Sequence, residues 1–119
     1  MRKNLNGNGL TLNSELELKT RKVLDEEITT LKTEFWDCCA LEVEVGTNGF
    51  HGGDSGHGGR VFLGLKNLAG TGMLLNGEDV EKMEMAFAGD AEIRIFLKMI
   101  DYVKDALELQ LQILERTRR

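Results

Sequence analysis

The sequence predicts an α+β domain in which an N-terminal helix and a long C-terminal helix pack on an antiparallel sheet of about four strands. Apolar residues recur at helical intervals before Trp36 and again after Asp90, and they alternate with polar residues along much of the chain between. The 119 residues, 41% of them hydrophobic and 29% charged, match one ordinary globular domain. We expect residues 1–12, which are rich in Asn and Gly, to form a flexible arm and residues 13–119 to form the domain.

The first predicted element is an amphipathic helix from Ser14 to about Trp36. Ser14 and Glu17 have the spacing of a capping box, in which each side chain bonds the other residue's free backbone N–H. Four apolar residues then follow at helical intervals: Leu24, Ile28, Leu31 and Phe35.

The middle of the chain predicts an antiparallel meander. Residues 41–45 alternate apolar and acidic side chains, as in a strand with one wet face. Further strands are expected at 60–65, at 73–75 and at 80–88, with a turn over 67–72. Asn76-Gly77 is a strong signal for a hairpin turn after the third of these strands.

The last element is a helix that begins with Asp90 as its N-cap and runs to about Arg116 without proline or glycine. It carries two apolar stripes, and one of them can cover the sheet. The second requires either the first helix or another copy of the protein. Because a helix of this length exceeds a small sheet, we expect a homo-oligomer formed through the C-terminal helix.

Charge and hydropathy exclude several classes of protein. The net charge of −5 disfavours a nucleic-acid polymer as partner, since such binding needs a basic face. No apolar run is long enough to cross a membrane, and no apolar segment follows the basic residues at the N-terminus, so we expect a cytoplasmic protein without a membrane partner. Cys38 and Cys39 are adjacent and cannot easily form a disulfide with each other, and we expect them to enter a buried strand.

The segment from Gly46 to Arg60 is the candidate binding site. It holds half of the 14 glycines, which lower the stability of the ordered state unless the backbone needs them. Successive glycine N–H groups can form a concave nest for an anion, Arg60 can bond a phosphate, and Phe50 can stack on a base. The predicted ligand-binding residues are Thr47, Asn48, Gly49, Phe50, His51, Gly52, Gly53, Asp54, Ser55, Gly56, His57 and Arg60, together with Arg94 of the last helix.

Other interpretations of this loop stay open. His51, Asp54 and His57 are evenly spaced and all are possible metal ligands, which would suit a metal-dependent hydrolase. Gly-Asp-Ser-Gly around Ser55 resembles the nucleophile segment of trypsin-like proteases, but the chain is too short for that fold. The loop can also be a mobile connection without a ligand, in a protein–protein adaptor that uses the exposed helix stripe.

The runs Val45–Gly49, Gly52–Gly58 with Arg60, and Phe87–Glu92 are similar to segments of small uncharacterised bacteriophage proteins. The size and the meander with a long helix resemble phage "sponge" proteins, which sequester cyclic nucleotide or cyclic ADP-ribose signals of bacterial immune systems such as CBASS and Thoeris. The resemblance implies an oligomer that captures an anionic small molecule without turnover or cofactor, in the cytoplasm of a bacterial host. The sequence thus predicts a ligand-binding protein with no catalytic residue.

Overall fold

The computed structural model describes residues 3–4, 11–12 and 17–117. The protein is α+β, with a five-stranded antiparallel sheet and one long C-terminal helix. Its elements in chain order are β1 (Lys3–Asn4), β2 (Thr11–Leu12), β3 (Glu17–Val23), β4 (Glu26–Trp36), β5 (Ala40–Thr47), β6 (Arg60–Ala69), β7 (Leu74–Leu75), β8 (Glu78–Asp79), β9 (Lys82–Ala88) and α1 (Asp90–Thr117).

The main sheet has the order β3-β4-β5-β6-β9. The strands predicted at 41–45, 60–65 and 80–88 are confirmed as β5, β6 and β9. The predicted third strand exists as β7, but it pairs with β8 in a separate ribbon, and the turn between them is Asn76-Gly77 with both φ angles positive. β6 continues through Ala69, so the predicted turn over 67–72 starts later than expected. In the predicted arm, β1 pairs with β2, and residues 5–10 lie outside the described residues.

The predicted N-terminal helix is wrong: β3 and β4 form a hairpin over residues 17–36. Leu24 and Asp25 make its two-residue turn with φ angles of 48° and 71°, the left-handed geometry that matches the twist of paired strands. The apolar residues misled the prediction because a spacing of four, as from Leu31 to Phe35, keeps two side chains on one face in a strand as well as in a helix. Ser14, the proposed cap, lies outside the described residues.

The sheet has one apolar face and one charged face. On the apolar face a single row crosses all five strands, and its members are Leu18, Leu31, Val45, Leu63 and Met85. The charged face carries ion pairs, including Arg21 with Glu44 and Lys32 with Glu42, beside a small buried cluster of Val23, Ile28 and Phe62. This division is typical of an antiparallel sheet with one solvated side, so the apolar face is the one that needs a cover.

Helix α1 covers only part of that face. Its buried residues are Asp90, Ile93 and Phe96, all in the first two turns, and Ile93 and Phe96 pack with Val61 against β6 and β9. The predicted helix is therefore confirmed, but most of it projects beyond the sheet. The radius of gyration is 16.4 Å, compared with about 13.5 Å for a compact chain of this length.

Candidate functional site

The glycine-rich segment between β5 and β6 wraps around the N-terminus of α1. The Asp90 carboxylate accepts hydrogen bonds from the backbone N–H groups of His51 at 3.0 Å, Gly52 at 2.7 Å and Gly59 at 2.9 Å. These three donors lower the pKa of Asp90 to about 2. The backbone nest that the sequence predicts is present, and the anion at its centre is a side chain of the protein itself.

A second set of bonds completes the junction. The N–H of Ala91 donates to the Asp54 carboxylate at 2.8 Å, and the N–H of Ser55 donates to Glu92 at 3.1 Å. The sequence predicts Asp90 as the helix cap. In the structure the Asp54 carboxylate accepts the Ala91 N–H in the first turn, whereas the Asp90 carboxylate accepts backbone N–H groups of the loop. Backbone bonds from Asp90 N–H to the Gly53 carbonyl and from Gly56 N–H to the Ala88 carbonyl join the same two segments.

Two of the loop glycines have clear steric reasons. Gly58 has a φ of +89°, and a Cβ there would overlap the Gly53 carbonyl oxygen and approach Asp90 Oδ1 to 2.7 Å. At Gly59 a Cβ would overlap the Gly49 carbonyl oxygen and lie 2.6 Å from Ile93 Cδ1. The glycines at these positions are therefore required by close packing against α1.

Arg60 lies inside this junction. Its guanidinium donates to the carbonyls of Gly58 at 2.7 Å and Val23 at 3.2 Å, and the residue is 7% exposed. Asn48 accepts from the backbone N–H of Arg60, and the Thr47 hydroxyl donates to its carbonyl. The sequence predicts these three residues as ligand contacts, and in the structure they bind the loop to β3 and β6.

Other predicted contacts do face outwards. Phe50, His51, Ser55 and His57 are exposed, and Phe50 lies with its ring centroid 5.6 Å from the Arg94 guanidinium. This is the geometry of a cation–π pair. We call the set of Phe50, His51, His57 and Arg94 the outer rim, because all four are exposed and Phe50 and Arg94 are in contact.

The structure does not gather the predicted metal ligands. Among the described residues, no three His, Cys, Asp or Glu side chains lie close enough together to hold a metal ion. His51 Nε2 is 2.7 Å from the Asn48 carbonyl, and Asp54 is bonded to α1. The two cysteines are free thiols in the turn between β4 and β5, and Cys38 is exposed. The prediction that they enter a buried strand is therefore wrong, because β5 begins after them at Ala40.

Sequence reasoning underestimated two features of this region. Asp90 was predicted only as the helix cap and Glu92 only within a motif, whereas their carboxylates anchor the loop. The available signal was the pair of acidic residues in the first turn of a helix, together with a glycine-rich segment elsewhere in the chain. Sequence reasoning also missed the apolar groove beside α1, with a volume of about 360 Å³. The groove is lined by Thr29, Leu31, Val45, Gly46, Thr47, Val61, Ile93, Phe96 and Leu97.

Comparisons with protein-family models, with curated proteins and with solved structures gave no match to the chain. Within the described part of the chain, the structure contains no helix that is both long and apolar enough to cross a membrane.

Proposed function

We propose that the protein is an interaction module that binds another protein chain through the apolar side of α1 and the apolar face of the sheet. One observation carries this proposal. Eleven large hydrophobic side chains of α1, from Ile95 to Leu114, are between 37% and 72% exposed. Contiguous apolar surface on this scale marks association sites, because water-exposed hydrocarbon is costly and favours any partner that covers it.

The sheet extends this surface. Leu18, Phe35, Val45 and Met85 of the apolar face are 61%, 60%, 37% and 41% exposed. The groove beside Phe96 and Leu97 lies between these strands and the start of α1. A partner can therefore contact the helix and the sheet together, and the groove between them allows shape complementarity in addition to apolar contact.

The glycine-rich junction supports the same function. Three N–H bonds to Asp90 and the buried Arg60 guanidinium fix the first turn of α1 against the sheet. A helix held so firmly at one end presents its remaining turns in a defined direction, and preorganisation of this kind lowers the entropic cost of binding.

A photo-crosslinking amino acid placed at Leu107 of the full chain in cells tests the proposal. Leu107 is 54% exposed on α1, and Leu75 on the β7–β8 ribbon is a matched control at 48% exposed. We expect position 107 to be joined to a protein chain, identified by mass spectrometry, much more often than position 75. Equal cross-linking at both positions would remove the basis of the proposal.

A second candidate function is favoured by the outer rim. An exposed aromatic ring beside a guanidinium can take a base and a phosphate together, as in a cyclic nucleotide or cyclic ADP-ribose type of ligand. The resemblance to phage sponge proteins favours capture without turnover. His51 and His57 of the same loop are also exposed.

Native mass spectrometry with a panel of cyclic nucleotides, cyclic ADP-ribose isomers and divalent metals tests this candidate. We expect Phe50→Ala and Arg94→Ala to lose the ligand, while Lys98→Ala, another exposed cation of α1, retains it. Ligand recovered intact after denaturation indicates a binder, and recovered product indicates turnover. Retention of every ligand by both rim variants would exclude the outer rim as the site.

A further inference from the structure

We infer that the partner of the apolar surface is a second copy of this chain, and that α1 of each copy lies on the apolar face of the other in a two-fold dimer. The inference rests on the proposed function and names its partner. It follows from what the chain leaves uncovered, from the width of the apolar surface of α1 and from the area available.

The chain has two uncovered surfaces that complement each other. One is a sheet face that crosses five strands and is covered by helix only near Val61 and Phe87. The other is a helix of 28 residues of which only Asp90, Ile93 and Phe96 are buried. In two copies related by a two-fold axis, α1 of each copy can cover the apolar sheet face of the other, so both uncovered surfaces are buried together.

The apolar arc of α1 is wide enough for two contacts. At about 100° per residue, apolar side chains cover roughly 200° of the helix circumference. One stripe includes Ile100, Val103, Leu107 and Leu114, and the other includes Ile95, Met99, Tyr102, Leu109 and Ile113. A two-fold dimer offers each helix two apolar surfaces, which are the partner's sheet face and the partner's helix. The polar strip, which includes Arg94, Lys98, Asp101 and Glu108, then remains in water.

The dimensions fit this arrangement. The residues of α1 after Leu97 extend about 30 Å. Five strands spaced about 4.8 Å apart, with residues rising about 3.3 Å along each strand, form a face of similar size. The groove beside Phe96 and Leu97 runs along Leu31 and Val45 and gives the incoming helix a seat on β4 and β5.

The apolar area is that of a stable dimer. Complete burial of a Leu or Ile side chain corresponds to about 100 Å² of apolar surface. On that scale the exposed fractions of the eleven α1 side chains amount to about 600 Å² and those of the four sheet residues to about 200 Å². The total of about 800 Å² per copy equals the contribution of each partner to a standard specific interface. The uncovered apolar surface of one copy is therefore large enough to form a specific interface with a second copy.

Sedimentation equilibrium of the purified full chain between about 1 and 100 µM, a range that brackets micromolar dimers, tests the stoichiometry. We expect a mass of twice 13.3 kDa. In Leu109→Glu the dissociation constant should rise at least about 100-fold, because a dimer contains the substitution twice and each copy loses one buried leucine. Gln112→Glu adds the same charge on the polar strip of α1 and should leave the dimer intact.

Filtered NOE spectra of a mixed labelled and unlabelled sample test the arrangement. We expect intermolecular contacts between methyl groups of Leu109 or Ile113 and those of Leu31 or Val45. A monomer throughout the concentration range, or an assembly whose intermolecular contacts join helices only, overturns the inference. If the protein is a monomer but cross-links from position 107 to a different protein, the dimer is refuted and the proposed function stands. If position 107 forms no cross-link at all, both the dimer and the proposed function are refuted.

Discussion

Glu44 on the charged face is the side chain with the clearest predicted contribution to stability. It is 4% exposed and accepts two hydrogen bonds from the Arg21 guanidinium, at 2.6 and 2.7 Å, and one from the Thr30 hydroxyl at 2.7 Å. The bonds from Arg21, followed by that from Thr30, lower the pKa of Glu44 to about 2 from its ordinary value of 4.5, against the opposing effect of burial. Replacement by glutamine keeps the shape and removes the charge.

The expected magnitude follows from linkage between protonation and folding. A pKa that falls from 4.5 to about 2 corresponds to at most about 3.4 kcal/mol in the free energy of unfolding. Because the Arg21 side chain is 30% exposed and solvent weakens the pair, we expect about 2 kcal/mol at neutral pH. The lowered pKa means that this stability is complete above about pH 5 and is lost as the pH falls towards 2.

Urea unfolding of the wild type and of Glu44→Gln, followed by circular dichroism at pH 7 and at pH 2.5, measures this difference. Protein concentration must be held fixed, since self-association makes stability depend on it. We expect a gap of about 2 kcal/mol at pH 7 and about 0.5 kcal/mol at pH 2.5. The control Glu108→Gln, whose pair with Lys104 is exposed, should cost less than about 0.5 kcal/mol. A gap of equal size at both pH values would refute the electrostatic reasoning.

Three further predictions concern the loop junction. In Asp90→Asn, hydrogen exchange at the Gly52 amide should become at least about tenfold faster, because an NH₂ group would face that N–H in place of the accepting oxygen at 2.7 Å; unchanged exchange would contradict the bond. Gly58→Ala should lower the thermal midpoint more than Gly56→Ala, since both have positive φ but only the first meets backbone atoms; equal losses would argue against the close packing. Arg60→Lys should lower the thermal midpoint without any ligand present, because lysine cannot reproduce the forked bonds to two carbonyls; an unchanged midpoint would imply a role outside the fold.

Local patterns predicted much of the fold. Alternation around Val43, the Asn76-Gly77 turn and the uninterrupted apolar periodicity after Asp90 each favour one conformation, and β5, the β7–β8 hairpin and α1 follow them. The β3–β4 hairpin was not predicted, because apolar residues spaced by four lie on one face in a helix and also in a strand. Its turn at Leu24-Asp25 also lacks the usual asparagine and glycine.

The candidate site was located but its internal contacts were not foreseen. Glycine density correctly indicates a nest of N–H groups, yet nothing in the local sequence says whether its anion comes from outside or from Asp90, 39 positions beyond His51. Arg60 illustrates the same limit, since its burial depends on the distant Val23 carbonyl. The anion in the nest and the burial of Arg60 both depend on tertiary contacts between residues distant in sequence, which local periodicity cannot predict.

The two candidate functions use different sides of α1 and are physically compatible. Arg94 belongs to the polar strip of the helix, whereas the inferred dimer uses the apolar arc on the remaining circumference. Dimerisation would leave the outer rim open, so a dimer would carry two rims and bind two ligands with no loss of interface. Leu109→Glu should then abolish the dimer while ligand capture persists, and Arg94→Ala should do the reverse. If one substitution removes both activities, capture depends on self-association, and the rim and the apolar arc of α1 do not act independently.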